Sequence, residues 1–227
     1  MWDPVWEDVF RKQAWGKYPG EELIRFVARN FYGAADRATV RLLEVGCGPG
    51  ANIWYLAREG FSFAGIDGSA AAIAQAGQRL DVECPAWRLC GELHVGDISR
   101  LPFADDTFDA VIDNEAVYCN PWDVSLQIYG EMARVTKPGG KLYSRTFASG
   151  TWGESTGEAA GHRAWRCAEG PLAGKGFARF TALEEIPELV RGFEVRNVEL
   201  VNWSLDGRRH EVREWIILGE KLVPPRS

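Results

Sequence analysis

Nowhere in its 227 residues does the chain hold an apolar run close to the ~20 that a helix needs to cross a bilayer, so no membrane span is expected. The first ten residues carry Asp3, Glu7 and Asp8 and lack the basic start and apolar stretch of a secretory signal, which makes a cytoplasmic location the expectation. Basic charge is also short: 26 Lys and Arg stand against 32 Asp and Glu, a net charge of -6 with a pI near 5.2. A surface that tracks nucleic-acid phosphates needs clustered Lys and Arg, and only Arg208 and Arg209 beside His210 are locally basic, so nucleic acid is not an expected partner. The five cysteines, Cys47, Cys84, Cys90, Cys119 and Cys167, form no CxxC pair; their odd number and the cytoplasmic setting mark them as free thiols, and no metal is expected. Histidines number three, so few side chains titrate near neutral pH.

What is present suits one globular core. A 46% hydrophobic share is ordinary, and single cores stop growing only near ~250 to 300 residues, so residues 1–227 are read as a single domain. Its first part, 1–35, reads as a helical cap: Leu23, Ile24, Phe26, Val27 and Phe31 recur near helical spacing after a Tyr18-Pro19-Gly20 break. Alternation follows, with strand Val40 to Val45, helix Ala51 to Arg58, strand Phe61 to Ile66 and helix Ala70 to Leu80. Further strands are expected at Glu92 to Val95, Phe108 to Asp113 and Lys141 to Phe147, with a helix from Trp122 to Val135 before the last. Residues 148–175 turn rich in Gly, Ser, Ala and Glu and read as an insertion or lid, and a short helix, Leu183 to Val190, comes next. Phe193 to Trp203 and Glu211 to Leu218 read as an antiparallel hairpin around Asp206-Gly207. The expected fold is α/β, a doubly wound seven-stranded sheet, mostly parallel, with helices on both faces and that hairpin at its end.

Chemistry concentrates at the carboxyl ends of the expected strands. Leu42-Leu43-Glu44-Val45-Gly46-Cys47-Gly48-Pro49-Gly50 places three glycines between a strand and a helix, where backbone can approach a ligand and the helix presents unpaired N–H groups. Gly46, Gly48 and Ala51 also satisfy the GxGxxA form of the dinucleotide fingerprint, and Asp67 at the end of the second strand can accept ribose hydroxyls of either kind of cofactor.

Two further motifs narrow the choice. Residues Gly96 to Val111, read Gly-Asp-Ile-Ser-Arg-Leu-Pro-Phe-Ala-Asp-Asp-Thr-Phe-Asp-Ala-Val, closely resemble the signature of small-molecule class I methyltransferases, and Lys137-Pro138-Gly139-Gly140 resembles their turn before strand five. The resemblance covers roughly Val40 to Phe147. It implies S-adenosylmethionine as cofactor, with Glu44, Gly46, Gly48 and Gly50 around its methionine part and Asp67 and Gly68 at its ribose. It further implies Asp97 at the adenine amino group, Ile98 on the adenine ring, and Asn114 at the methionine end near the acceptor. Asp97 as a plain cap of a short turn stays open as the alternative. Asp113-Asn114-Glu115 departs from the Asn/Asp-Pro-Pro-Tyr/Phe motif of amino-directed nucleic-acid methyltransferases, which again points to a small molecule.

Methyl transfer from a sulfonium is mainly a matter of alignment, worth up to ~7 to 11 kcal/mol, and a hydroxyl or ammonium acceptor adds only the need for a proton acceptor. Glu115 and His162 are the catalytic candidates for that role, with Tyr118 behind them; a helix-end carboxylate and an exposed lid histidine are the structural readings of the first two. His94 and His210 are read as structural. Seven of the ten tryptophans, Trp2, Trp6, Trp15, Trp54, Trp122, Trp152 and Trp165, fall in the cap, the early helices or the insertion, where an aromatic-walled acceptor pocket would form. Tyr18, between the cap helices, is expected to touch the cofactor. The leading function is therefore methyl transfer to oxygen or nitrogen of a small molecule such as a sugar or a secondary-metabolite intermediate, with a homodimer left open. The alternatives are an NAD-dependent oxidoreductase, for which no Tyr-xxx-Lys pair is apparent, and a non-catalytic S-adenosylmethionine-binding regulatory module.

Overall fold

The computed structural model describes residues 3–223. After α1 (Val5–Lys12) and α2 (Glu21–Phe31), strands and helices alternate as β1 (Arg41–Val45), α3 (Ala51–Arg58), β2 (Ser62–Asp67), α4 (Ala70–Glu83), β3 (Gly91–Val95), β4 (Phe108–Asn114), α5 (Trp122–Val135) and β5 (Thr136–Phe147). Short strands β6 (Glu158–Gly161), β7 (Ala164–Arg166) and β8 (Ala178–Arg179) lead to α6 (Ile186–Leu189) and the long pair β9 (Phe193–Leu205) and β10 (His210–Lys221). Local chemistry explains the elements. The inner strands β1, β2 and β4 are near-continuous apolar runs because both of their faces are covered. Helix α2 buries Leu23, Phe26 and Val27 at helical spacing, and Ser69 caps α4 by accepting from the Ala72 N–H at 3.1 Å.

The seven strands lie in the order β3-β2-β1-β4-β5-β10-β9, with β1 to β5 parallel and β10 antiparallel to both of its neighbours. The expected doubly wound sheet with a terminal hairpin is thus present. Strand order reverses between β1 and β4, which opens a crevice at their carboxyl ends. One face packs on α2, α3 and α4 through Leu23, Phe26, Ile53, Leu56 and Leu80, and the other on α5 and α6 through Ile128, Met132, Ile186 and Leu189. No helix among the described residues is long and apolar enough to cross a membrane.

Two expectations need correction. Lys137-Pro138-Gly139-Gly140 lies inside β5 rather than before it. Phe108 pairs with Thr136 and Ala110 with Lys141, so these residues bulge out opposite Asp109, with Gly139 at φ +77°. The insertion also has a structure of its own, because β6, β7 and β8 form a three-stranded antiparallel sheet. Its underside, Cys167, Leu172, Ala178 and Phe180, joins Tyr118, Phe147 and Val212 in a third apolar cluster beside the crevice.

Leu43 sits fully buried at the centre of β1, so Leu43→Ala should cost about 2 to 5 kcal/mol in urea unfolding, the range for large-to-small core changes. A loss under about 1 kcal/mol would show that β1 does not anchor the core.

Candidate active site

The crevice is a cleft of about 550 Å³ that runs without a break from the glycine turn after β1 to an aromatic chamber under the cap and the insertion. At the glycine end the chain folds on its own acids. Gly46 and Cys47 donate their N–H groups to the Ile66 carbonyl at 2.7 and 3.1 Å, and the Asp67 carboxylate accepts from the Gly48 N–H at 2.9 Å and the Ser69 N–H at 2.8 Å. Burial pushes the Asp67 carboxyl up from the ordinary range, against the pull of those two N–H groups. Glu44 is 2% exposed; its Oε1 accepts from the Asn52 side chain at 2.5 Å, and its Oε2 is buried with no partner. Burial, with the nearby Asp67 and Asp113 carboxylates adding to it, pushes Glu44 up to about 8.

A second set of bonds holds the turn after β4. Asp113, fully buried, accepts from the Ala116 and Val117 N–H groups at 3.0 Å each, from Tyr129 Oη at 2.7 Å and from Ser144 Oγ at 2.9 Å. Pinned in this way, Glu115 takes φ +60°, a left-handed conformation that a residue with a Cβ adopts at a cost. Gly46 makes room for the turn, since a Cβ there would lie 2.2 Å from that of Ala116. Asn114 lines the cleft with its Oδ1 buried and unpartnered.

Where cofactor turn and chamber meet, the Arg145 guanidinium is shared among carboxylates. Its Nε lies 2.9 Å from Glu115 Oε1 and donates to Glu214 Oε2 at 2.7 Å, a second nitrogen donates to the same Glu214 oxygen, and Glu22 is 3.6 Å away. Register produces the grouping. Arg145 pairs with Asn114 on β4 and with Ile216 on β10, which puts Arg145 and Phe147 on the same face as Glu214 and Ile216. Glu214 is 1% exposed, and burial together with the Glu115 charge holds its carboxyl well above the usual range despite Arg145. Trp6, Phe10 and Trp15 pack ring to ring at 5.4 to 6.0 Å along the chamber, and Trp203 closes it from β9.

Comparison with known proteins is consistent with this geometry. Residues 42–140 match the model of a methyltransferase-domain family. A fatty-acid O-methyltransferase of Mycolicibacterium smegmatis is 36% identical over 126 residues, 53% of this chain and 43% of that one. A malonyl-[acyl-carrier protein] O-methyltransferase of Pseudescherichia vulneris is 30% identical over 173 residues, 75% of this chain and 61% of that one. A SAM-dependent methyltransferase structure from Methanosarcina mazei superposes with TM-score 0.71 at 22% identity, covering 91% of this chain and 99% of that one. Residues 42–140 carry a methyltransferase domain, and the sheet around them has the class I methyltransferase fold. The chain spans 43 to 61% of the length of those two curated relatives. Class I methyltransferases take their methyl from S-adenosylmethionine, which decides between the two cofactor readings left open by the glycine turn.

The residues of the cleft fit that cofactor. Glu44 Oε2 and Asn114 Oδ1 are two buried, unpartnered acceptors on the cleft wall, as a methionine ammonium requires. The Asp67 carboxylate suits ribose hydroxyls, and Ile98, 9% exposed, offers an apolar surface for a base. Of the expected site residues, the cleft brings together Tyr18, Glu44, Gly46, Gly48, Asp67, Gly68, Ile98, Asn114 and Glu115.

Three expected residues are not on the cleft wall. Gly50 caps α3 at φ +82° and a Cβ there would meet Ala76 at 2.8 Å, so its bareness serves the packing of α3 on α4. Asp97, exposed, accepts from the N–H and hydroxyl of Ser99 at 2.9 and 2.8 Å, the bonding of a turn cap. His162 is exposed, pairs with Glu185 and lies against the Trp122 ring. Among the named tryptophans, Trp6 and Trp15 line the cleft, whereas Trp54, Trp122, Trp152 and Trp165 pack elsewhere and Trp2 lies outside the described residues. Sequence reasoning missed Arg145, Trp203 and Glu214. The signal for Glu214 was its place between Val212 and Ile216, a carboxylate in the buried phase of a strand.

Since the fold keeps on Glu44 a proton that the unfolded chain releases near its ordinary value of 4.5, the folded state binds more protons up to about 8, and stability falls as pH rises through that window. Glu44→Gln should flatten the decline in a thermal-melt series across pH 5 to 8; an unchanged slope would clear Glu44 of the effect. His162→Ala should leave methyl-transfer turnover within twofold of wild type, and a loss beyond tenfold would bring His162 back as a proton acceptor.

Proposed function

We propose that this protein transfers the methyl group of S-adenosylmethionine to an oxygen or nitrogen of a small molecule held in the aromatic chamber. One observation carries this reading: a single cleft joins the acceptor-lined glycine turn to the chamber, with Glu115 and Arg145 at the junction. The relatives, by their names O-methyltransferases of a fatty acid and of a malonyl-[acyl-carrier protein], support methyl transfer, and the first of them supports an acceptor with an apolar body. An insertion wall of Pro171, Leu172 and Lys175 over the chamber fits a role in excluding water.

When bound, S-adenosylmethionine supplies a methyl on a sulfonium whose leaving group, a neutral thioether, needs no proton. The chain's own residues do the rest. Glu44, Asp67 and Asn114 would hold the cofactor, and the Asp113 network keeps the 114–116 turn from drifting, which matters because alignment supplies most of the rate. Glu115, 32% exposed by side chain, is placed to take a proton from the acceptor and pass it to water. A regulatory module would share the cofactor residues and differ in having no turnover.

Calorimetric titration should show S-adenosylmethionine and its demethylated product binding at micromolar levels and NAD not at all, with Asp67→Ala weakening both at least tenfold. NAD binding alone would overturn the reading, and cofactor binding without turnover across an acceptor screen would favour the regulatory module.

A further inference from the structure

The chemical class of the acceptor can be read from the junction; this inference rests on the methyl-transfer reading above. We propose that the acceptor is an amine, cationic in solution and carried on an apolar body, and that the Glu115–Arg145–Glu214 cluster takes the proton its nitrogen must lose before attack.

Charge is the first support. Five carboxylates line the cleft against two basic side chains, Arg145 and Lys175. At the junction the imbalance is local, since the single guanidinium of Arg145 faces Glu115, Glu214 and Glu22. Two of these acids line the cleft, and the more deeply buried one, Glu214, holds its proton above the ordinary range because of its burial and, after that, the neighbouring Glu115 charge. An arriving ammonium supplies the missing positive charge. An arriving carboxylate adds a negative charge to a site that already repels one, and an alcohol changes nothing.

The walls are the second support, independent of the acids. The aromatic rings of Trp6, Phe10, Trp15, Phe147 and Trp203 line the same cavity. Two of these rings already carry cations of the chain: Lys175 Nζ lies 5.4 Å from the Trp15 centroid and the Arg145 guanidinium 5.7 Å from that of Trp203. A desolvated cation gains from such a face whereas a carboxylate does not.

The step balances. The ammonium gives one proton to an ionised carboxylate of the cluster, and the freed nitrogen lone pair forms the N–CH₃ bond as the C–S pair returns to sulfur. The products are a methylated ammonium, a neutral thioether and a carboxyl whose proton leaves to water through the more exposed Glu115.

The test uses the whole chain saturated with S-adenosylhomocysteine and three probes of one shape, 3-phenylpropylamine, 3-phenylpropanol and 3-phenylpropanoate, titrated calorimetrically at pH 7. The amine should bind at least tenfold more tightly than the alcohol, with the carboxylate weakest. Glu214→Gln should cut amine affinity at least tenfold while moving alcohol affinity less than twofold. Should that variant unfold, Glu115→Gln, altered at the exposed side of the cluster, carries the same expectation. Equal binding of the three, preference for the carboxylate, or no binding by a protein that still takes up S-adenosylhomocysteine would overturn the amine assignment and leave methyl transfer standing. Failure to bind S-adenosylhomocysteine at all would remove the methyl-transfer reading and this inference with it.

Discussion

Asp113 is a carboxylate at the centre of the sheet with four hydrogen-bond donors converging on it, from the turn after β4, from α5 and from β5. Bonds of this kind to a charged acceptor are worth roughly 1.5 to 3 kcal/mol each, and an acid buried without them would be costly. Everything at the junction of the cleft hangs from this one group. It holds Glu115 in a left-handed conformation, places Asn114 on the wall, and presses Ala116 against Gly46 so tightly that only a glycine fits opposite. The two loops that form the cleft are therefore set against each other by a steric fit, and that fit is maintained by an electrostatic one.

Acids recur at the open end of the sheet for a related reason. Glu44 near the end of β1, Asp67 at the end of β2 and Asp113 near the end of β4 all stand where strand order reverses and backbone N–H groups of the following turns point inward. Asp67 and Asp113 satisfy such N–H groups, whereas Glu44 keeps one oxygen unpartnered. The fold stores unused acceptor capacity where a cationic ligand group can use it. Glu214 repeats the pattern on β10, with Arg145 as partial partner, so one cleft holds two buried acids that keep their protons above the ordinary range.

Much of this was legible along the chain. The strand and helix order through β5, the terminal hairpin, the glycine turn and Asp67 follow from local patterns, because apolar periodicity and turn residues act over a few positions. The insertion was harder: its Gly- and Ser-rich stretch read as a lid, yet short strands with little periodicity pair into a sheet that only long-range contact with Phe147 and Val212 defines. Gly50 and Asp97 stand off the cleft wall. Each stands where the family pattern has it; Gly50 lies close against Ala76, and Asp97 accepts from Ser99.

By itself the sequence determined the α/β class, the cofactor turn and the acidic, cysteine-free-of-pairing character of the chain, since these depend on neighbours a few residues apart. Only the tertiary structure decided which chemistry faces the acceptor. The insertion of β10 between β5 and β9 brings Glu214 to Arg145, 69 positions away along the chain, and pairing of β4 with β5 adds Glu115. His162 is a titratable residue in a plausible stretch of sequence, but it ends on the outer surface beside Glu185. Strand order and register are set by the summed burial of two sheet faces, and no short stretch of sequence encodes that sum.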